Sequence, residues 1–294
     1  MNVLSLFDGM SGGQLALQKV GLKVDKYYSC EIDEYAQSVT RYNFPNTIFL
    51  GDVTKVDFSK LEDIDLVIGG SPCQDLSFAK GNGKGLEGSR SSLFYKFVEA
   101  IEVCKPEYFL LENVKMKQEW KDIISDLLGV QPIFINSTDF SAQNRQRLYW
   151  TNIPIIPWTP CKTKFYKDIK ETNAADNFYY SPKMLAWIKR HGERKNKKLR
   201  IQSDNDKVQM IEASHFKGCS SQRFFGIEDT KGLRYITPLE CERAQTVPDN
   251  YTSKGIRELK EVKISNTQRY KMLGNGWTIN VIAHIFKSLQ KGAV

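Results

Sequence analysis

Short apolar runs alternate with stretches of helical periodicity along the first half of the chain. In SSLFYKFVEAIEVCKP, for example, Leu93, Phe97 and Ile101 fall on one helical stripe, and Pro106 ends the predicted helix. This order of strands and helices predicts an α/β fold with a doubly wound sheet, whose ligands bind at the carboxyl ends of the strands. The predicted strands are NVLSLF, DKYYSCEID, TIFLGDV, DLVIGG, EYFLLENV, PIFINSTDF and RLYWTNI, and further predicted helices are GQLALQKVG, AQSVTRYNF and WKDIISDLLG.

The regular alternation ends after Trp150. From Pro154 to about Leu233 the chain carries prolines, isolated aromatic residues and the basic run RHGERKNKKLR, with six lysines or arginines against one glutamate. Such a run is typical of a solvated helix face or loop, and a nucleic-acid contact is the alternative. Apolar periodicity returns in INVIAHIFKSLQK, which predicts a final helix.

Composition narrows the class of protein without identifying it. The 294 residues are 41% hydrophobic and 26% charged, as is usual for a soluble globular protein. No apolar run approaches the ~20 residues that a membrane helix needs, and MNVLSLFDG is not a secretory pattern, so we expect a cytosolic protein. The net charge of +8 is compatible with a polyanionic partner. Because the six cysteines form no CxxC pair and the three histidines are scattered, we expect no metal site and no disulfide framework.

Polar groups follow the first three predicted strands, where a ligand of a doubly wound sheet would bind. After the first strand comes FDGMSGG, in which Asp8 precedes glycines that let the backbone approach a ligand at a helix N-terminus. This pattern is not the G-x-G-x-x-G of dinucleotide binding, and a simple strand-to-helix turn is the alternative. Glu31 follows the second strand, where an acidic group takes ribose hydroxyls, and Asp52 ends the third. Together the three acids indicate an adenosine-containing ligand.

A thiol follows the fourth predicted strand. Cys73 comes directly after Gly-Gly-Ser-Pro, and Pro72 stiffens the backbone before it. A thiolate is a strong nucleophile, and an inert thiol is the alternative. Glu112 ends the next strand, where a carboxyl group could contact a ring nitrogen or serve only as a helix cap or surface acid. Arg145 and Arg147 share one face if extended, which suits a phosphate or a carbonyl oxygen, or simply an exposed strand.

Six motifs then occur in an order that is specific in combination. They are Phe-Asp-Gly, Pro-Cys-Gln, Glu-Asn-Val, Gln-x-Arg-x-Arg, RYITPLECERAQTVPDNY and RYKMLGNGWTINVI. With these motifs the chain resembles the DNA (cytosine-5) methyltransferases from Val3 to Ile282, apart from the variable segment after Ile153. Pro-Cys-Gln-x-x-Ser is the commoner bacterial and phage form, whereas LSLFDG and KGLEGSRSSLFYKF are also similar to the mammalian de novo enzymes.

The resemblance implies that S-adenosylmethionine is the cofactor of a Rossmann-like sheet. Phe7 would pack on the adenine, Glu31 would bind the ribose hydroxyls and Asp52 the adenine amino group. The C-terminal segment would return to the cofactor around Trp277. The implied cofactor-binding residues are Phe7, Asp8, Gly9, Ser11, Gly12, Glu31, Ile32, Asp52, Val53, Asn275 and Trp277.

The resemblance also implies a covalent mechanism on a cytosine that is flipped out of double-stranded DNA. Cys73 would attack C6, Glu112 would hold N3 and Arg147 would assist at O2, so that C5 takes the methyl group and then loses its proton. The implied catalytic residues are Cys73, Glu112, Arg145 and Arg147. The implied DNA-binding residues, three of them on the glycine-rich loop after Cys73, are Gln74, Ser77, Arg90, Gln222 and Arg223.

Two domains follow from the same resemblance. Residues 1–156 and 264–294 would form the catalytic and cofactor-binding domain, and residues 157–263 a small, irregular target-recognition domain. The implied partner is double-stranded DNA, with no membrane, and a cognate restriction endonuclease is expected as a partner in function only. The expected location is the cytoplasm of a bacterial or phage-infected cell, at the nucleoid.

Two other functions stay open, and a third is rejected. Some enzymes of this architecture methylate cytosine-5 in transfer RNA, but the recognition segment here does not resemble that branch. A catalytically inactive DNA-binding homologue should have lost at least one member of the catalytic set, and the set is intact. A nicotinamide oxidoreductase is rejected because the chain lacks G-x-G-x-x-G after the first strand.

Overall fold

The computed structural model describes residues 1–72, 93–196, 198–220 and 225–290, centred on a seven-stranded sheet. The first eight strands are β1 (Asn2–Leu6), β2 (Lys26–Cys30), β3 (Ile48–Phe49), β4 (Leu66–Gly69), β5 (Tyr108–Val114), β6 (Ile133–Asn136), β7 (Gln143–Asn144) and β8 (Gln146–Thr151). The central sheet has the order β3-β2-β1-β4-β5-β8-β6, and β7 pairs outside it.

The strand order reverses at β1, which pairs in parallel with β2 on one side and with β4 on the other. A switch point of this kind leaves a crevice outside the carboxyl ends of the strands. β8 runs antiparallel to both of its neighbours, β5 and β6. The predicted doubly wound α/β class is confirmed, and the antiparallel insertion of β8 is a feature that periodicity did not predict.

Helices cover both faces of the sheet. The α-helices of the described residues are α1 (Gly12–Lys19), α2 (Glu34–Asn43), α3 (Phe94–Cys104), α4 (Gln118–Leu128), α5 (Pro182–Lys195), α6 (Pro238–Ala244), α7 (Asn266–Asn275) and α8 (Ile279–Phe286). Side chains alternate between the faces along each strand, so Val3 joins one core with α1 and α8, and Leu4 joins the other with α3 and α4. The predicted final helix, α8, thus packs beside α1 on one face of the sheet that the first half of the chain forms.

The third predicted strand, TIFLGDV, is shorter in the structure than its pattern indicated. Pairing is limited to β3, because Gly51 turns the backbone at φ +74° and the next residue starts a 3₁₀ turn, Val53–Lys55. The Asp52 carboxylate caps that turn by accepting from the Thr54 N–H at 3.0 Å. Asp52 therefore does not end the strand as predicted, because β3 ends at Phe49 and Asp52 lies three residues further on, as the cap of the 3₁₀ turn.

The second half builds smaller sheets around the central one. Its strands are β9 (Arg200–Ile201), β10 (Val208–Gln209), β11 (Phe225–Asp229), β12 (Gly232–Arg234), β13 (Lys254–Arg257) and β14 (Lys260–Lys263). β12, β11 and β9 form one sheet, β13 and β14 a hairpin, and β10 pairs in parallel with β7. The fully buried Arg234 joins β12 to α6 by donating to both oxygens of Glu240, at 2.8 and 2.9 Å.

Contacts cross the predicted domain boundaries at 156/157 and 263/264. Besides the β7–β10 pairing, the β13–β14 hairpin packs on α2, where Arg257 forms an ion pair with Glu34 at 2.9 Å. The division itself stays a prediction. Most of the basic run lies in the last turns of α5. Across the described ranges, every helix is too short or too polar to span a membrane.

Candidate active site

The carboxyl ends of β1, β2, β4 and β5 border a cavity of about 420 Å³ at the switch point of the sheet. The predicted residues that line it are Phe7, Asp8, Gly9, Gly12, Glu31, Ile32, Asp52, Val53, Glu112, Arg145, Arg147, Asn275 and Trp277. Ser11 is different, because its side chain is fully buried and its hydroxyl donates to Asp8 Oδ2 at 2.7 Å. The structure therefore gathers the predicted cofactor and catalytic residues around one cavity, with Ser11 behind its wall.

The remaining predicted residues lie outside the described ranges; they are Cys73, Gln74, Ser77, Arg90, Gln222 and Arg223. The segment that leads to the first of them is described, and Gly70, Ser71 and Pro72 line the cavity. Asn113 on β5 donates to the Ser71 hydroxyl at 3.0 Å and ties this segment to the neighbouring strand. The chain therefore reaches the cavity one residue before the predicted nucleophile.

Asp8 organises the turn between β1 and α1. Its carboxylate accepts from the hydroxyl groups of Ser5, Ser11 and Tyr27 at 2.7 Å and of Ser29 at 2.8 Å. Burial raises the pKa of Asp8, and the four hydroxyl groups oppose that rise. Because this carboxylate bonds inside the protein, Asp8 shapes the cavity mainly by fixing the backbone beside it.

Glu31, directly after β2, holds its carboxylate on main-chain N–H groups. Oε2 accepts from Gly9 at 2.7 Å, and Oε1 accepts from Ile32 and Asp33 at 2.8 Å each. Burial raises the pKa of Glu31, and these N–H groups oppose it. The neighbouring Ile32 side chain is 73% exposed, so a large apolar surface faces the cavity without protein packing. An anchored acid beside an apolar surface suits a ribose and its base.

Glu112 and Arg147 form a buried ion pair between β5 and β8. Arg147 Nε lies 2.6 Å from Glu112 Oε1, and their side chains are only 9% and 11% exposed. The antiparallel register pairs Val114 with Arg147, which brings the guanidinium alongside Glu112. The other oxygen, Oε2, accepts from Trp277 Nε1 at 3.2 Å. A carboxylate and a guanidinium are thereby held together at the cavity wall.

Arg145 has a structural set of partners. Its guanidinium donates to the carbonyl groups of Ile211 at 3.1 Å, Gly274 at 3.2 Å and Gly276 at 2.9 Å. Two of these carbonyls flank Asn275 and precede Trp277, so Arg145 holds that segment at the cavity. Its predicted contact with a substrate stays a prediction.

A second cavity of about 420 Å³ adjoins the first and shares Arg147 with it. Its other cations are Lys115, Arg200 and Lys207, and no Asp or Glu is among its described lining residues. The Gln209 amide lies beside Arg200, and with its oxygen turned toward the guanidinium it accepts from Nη1 and Nε at 3.1 and 3.2 Å. Arg147 is paired with Glu112, so the excess positive charge of this cavity comes from Lys115, Arg200 and Lys207, and it favours an anionic partner at this place.

Sequence reasoning missed the residues that hold Asp8. Ser5 and Ser29 are direct neighbours in the β1–β2 register, and Tyr27 lies two residues before Ser29. Each serine interrupts an apolar strand run, NVLSLF or KYYSC, and a buried polar residue in such a run needs a hydrogen-bond partner. That interruption was the available signal.

Solved structures define the class of fold. The Entamoeba histolytica methyltransferase EhMeth superposes with a TM-score of 0.78 at 18% identity, covering 99% of both chains. The Schizosaccharomyces pombe Dnmt2 methyltransferase gives 0.71 at 16% identity, again over 99% of both chains. The chain therefore has the Rossmann-like methyltransferase fold.

Sequence comparison identifies the family. The profile of the C-5 cytosine-specific DNA methylases matches residues 1–154 and 156–291, so the chain belongs to this family, whose methyl donor is S-adenosylmethionine. The family and the cofactor predicted from the motifs are confirmed.

Three relatives show how far the similarity extends. The type II methyltransferase M1.ScrFI of Lactococcus lactis subsp. cremoris is 29% identical, over 98% of this chain and 77% of its own. M.HpaII of Haemophilus parainfluenzae is 28% identical, over 95% and 86%. The orphan methyltransferase M.SPRI of Bacillus phage SPR is 35% identical over 51% of this chain, and the match spans only 37% of that relative.

Proposed function

We propose that the chain transfers a methyl group from S-adenosylmethionine to C5 of a cytosine in double-stranded DNA. The observation that carries the proposal is the Glu112–Arg147 pair, which shares one cavity with Glu31 and with the strand end that leads to Cys73. A cytosine needs contacts at N3 and O2, and the methyl donor needs a nucleoside pocket. One cavity with both kinds of group can bring the two reactants together.

The cofactor fits the chemistry of the cavity wall. The anchored Glu31 carboxylate would accept from the ribose hydroxyls, and Ile32 and Phe7 would contact the adenine. Asp52, whose pKa is lowered by hydrogen bonds from the Thr54 N–H and hydroxyl, would accept from the adenine amino group. When bound, the cofactor supplies an electrophilic methyl group on sulfonium.

Cys73 would serve as the nucleophile. Its thiolate would add to C6 and make C5 electron-rich. C5 would then take the methyl group as the methyl–sulfur bond breaks and its electron pair stays on sulfur, and loss of the C5 proton to a base would expel the thiolate. Glu112 would bond at N3 and Arg147 at O2, where both favour the addition. Because C6 is stacked inside a duplex, the cytosine must be flipped out, at a cost of roughly a few kcal/mol.

The second cavity supports a nucleic-acid substrate. Lys115 and Arg200 lie beside Arg147 without a described carboxylate partner, where the phosphates next to a flipped nucleotide could bind. We assign residues 157–263 to target recognition. Further proposed DNA contacts, all outside the described ranges, are Gln74, Ser77, Arg90, Gln222 and Arg223.

Transfer RNA is the main alternative substrate, and an inactive DNA-binding protein is the second. The likeness to Dnmt2 concerns the fold alone at 16% identity, whereas the relatives M1.ScrFI and M.HpaII are named type II methyltransferases. Those names support DNA, and they also support a cognate restriction endonuclease as a partner in function. The intact Glu112–Arg147 pair is evidence against an inactive site.

A covalent trap tests the proposal. Duplex DNA carrying 5-fluorocytosine, incubated with the protein and S-adenosylmethionine, should give an adduct that survives denaturation. The C5 of this base carries fluorine instead of a proton, so the step that expels the thiolate cannot occur. Cys73→Ala should give none. Bisulfite sequencing of methylated DNA would supply the target sequence for the duplex.

Two results would overturn the assignment. A wild-type protein that methylates normal DNA but never forms the adduct would exclude Cys73 as the nucleophile. If methyl transfer to transfer RNA equals or exceeds methyl transfer to DNA at matched salt, transfer RNA rather than DNA would become the assigned substrate.

A further inference from the structure

Trp277 joins the cofactor side of the main cavity to its catalytic side. It lies in the segment between α7 and α8, half-buried, with indole Nε1 3.2 Å from Glu112 Oε2. Of the two oxygens of Glu112, Arg147 contacts one and Trp277 the other. The indole is therefore in direct contact with the carboxylate assigned to the cytosine.

Gly70 leaves room for this contact. A Cβ at Gly70 would come within 3.0 Å of Trp277 Nε1 and 3.1 Å of Glu112 Oε2. The indole edge and the carboxylate thus meet against the bare backbone of Gly70, three residues before Cys73.

The backbone that carries the indole is fixed on both sides. The carbonyl before it, that of Gly276, accepts from Arg145 at 2.9 Å and from Gln245 at 3.2 Å. The residue after it, Thr278, donates its hydroxyl to Gln245 at 2.8 Å. Because this backbone is held in place, the indole N–H of Trp277 keeps its direction, and little side-chain entropy is lost when it contacts Glu112.

We propose that Trp277 is a positioning residue that sets the orientation of the Glu112 carboxylate. A single bond to Arg147 would leave the terminal carboxylate free to turn about its last rotatable bond. A second donor on the other oxygen fixes the plane, and with it the direction from which Glu112 meets N3 of a cytosine. This role rests on the function proposed above.

Removal of the indole N–H with retention of an aromatic ring tests the proposal kinetically. Trp277→Phe should lower kcat about tenfold, as for loss of one hydrogen bond to a charged group, with KM for S-adenosylmethionine within about twofold. The matched control is Trp158→Phe, which removes an indole donor to Asp139 at 3.0 Å away from the cavity and should change neither constant. A raised KM with unchanged kcat would make Trp277 a cofactor contact only and overturn the proposal.

An NMR measurement tests the contact without catalysis. The chain has five tryptophans, so a ¹⁵N-labelled sample gives five indole signals, and Trp277→Phe assigns one by its disappearance. Glu112→Gln should move that signal and leave the signal of Trp158 in place. An unmoved Trp277 signal would overturn the proposal. A moved signal in a protein that transfers no methyl group would support the contact while it refutes the proposed function.

Discussion

Arg147 and Glu112 meet across the antiparallel β5–β8 ladder, with Nε 2.6 Å from Oε1 and both side chains about nine-tenths buried. If β8 ran parallel to β5, residues other than Arg147 would lie beside Glu112, so this ion pair depends on the antiparallel direction of β8. Each member neutralises the other, and removal of either one leaves a buried charge behind.

Glu112→Gln should lower kcat by about 10² or more, because an amide cannot exchange a proton at N3 as a carboxyl group can.

Arg147→Gln should lower the free energy of unfolding by about 3–5 kcal/mol, since it leaves the buried Glu112 carboxylate unpaired. The double variant should regain part of that stability. Urea unfolding and single-turnover kinetics check these outcomes; Lys254→Gln, which breaks the exposed pair with Glu261, is the control and should change little.

Asp8→Ala should destabilise the protein strongly, by about 3 kcal/mol or more, because four hydroxyl groups lose a buried acceptor together. Asp8→Asn should cost less, since the amide oxygen still accepts. Thermal unfolding of both variants measures this. Equal losses for the two variants would show that the charge of Asp8, rather than its hydrogen bonds, holds the turn.

Lys115→Gln and Arg200→Gln should each raise KM for DNA and reduce the salt dependence of DNA binding by about one unit of slope. The affinity for S-adenosylmethionine should not change, because both residues line the second cavity alone. Lys60→Gln, on the exposed 3₁₀ turn Phe58–Lys60, is the matched control. Salt slopes that equal the wild-type value would place the phosphates elsewhere.

His284 should make stability depend on pH. It is buried on α8, and its Nε2–H donates to the Ile156 carbonyl at 2.9 Å. Burial lowers the pKa of His284 below its usual 6.5, against the effect of that hydrogen bond, and the nearby charge of Lys287 lowers it further. Between the lowered folded pKa and pH 6.5, the unfolded chain therefore binds more protons at His284 than the folded chain does. The stability that is present above pH 6.5 is lost as the pH falls through the folded pKa.

His284→Gln keeps a donor for Ile156 and removes the titration. Between about pH 7.5 and about pH 5.5, urea unfolding should show a larger loss of stability for wild type than for this variant. Parallel losses in the two proteins would show that the titration of His284 has no part in the pH dependence.

Much of the central sheet followed from local pattern, because strands such as NVLSLF and DLVIGG are buried on both faces and read as continuous apolar runs. The place of β8 between β5 and β6 did not follow, since the partner and direction of a strand are set by long-range packing. TIFLGDV shows a second limit: on an edge, a capping aspartate and a glycine turn ended the strand early.

The candidate site could likewise be predicted only in part. Glu31 and Glu112 could be predicted because strand ends meet at one edge of the sheet. The partners of Arg145 could not, because they are main-chain carbonyls of residues 66 to 131 positions away. Such contacts have no residue-type signature in the sequence.

The β7–β10 pairing has a consequence for engineering. β10 belongs by position to the recognition segment, yet Val208 pairs with Gln143, and Ile211 bonds both to the Gln143 amide and to Arg145. A chimaera that exchanges specificity between relatives should therefore place its junctions outside 208–211 and leave this strand with its own catalytic half. The predicted recognition segment and the predicted catalytic domain are thus joined by a shared β-ladder rather than by a linker.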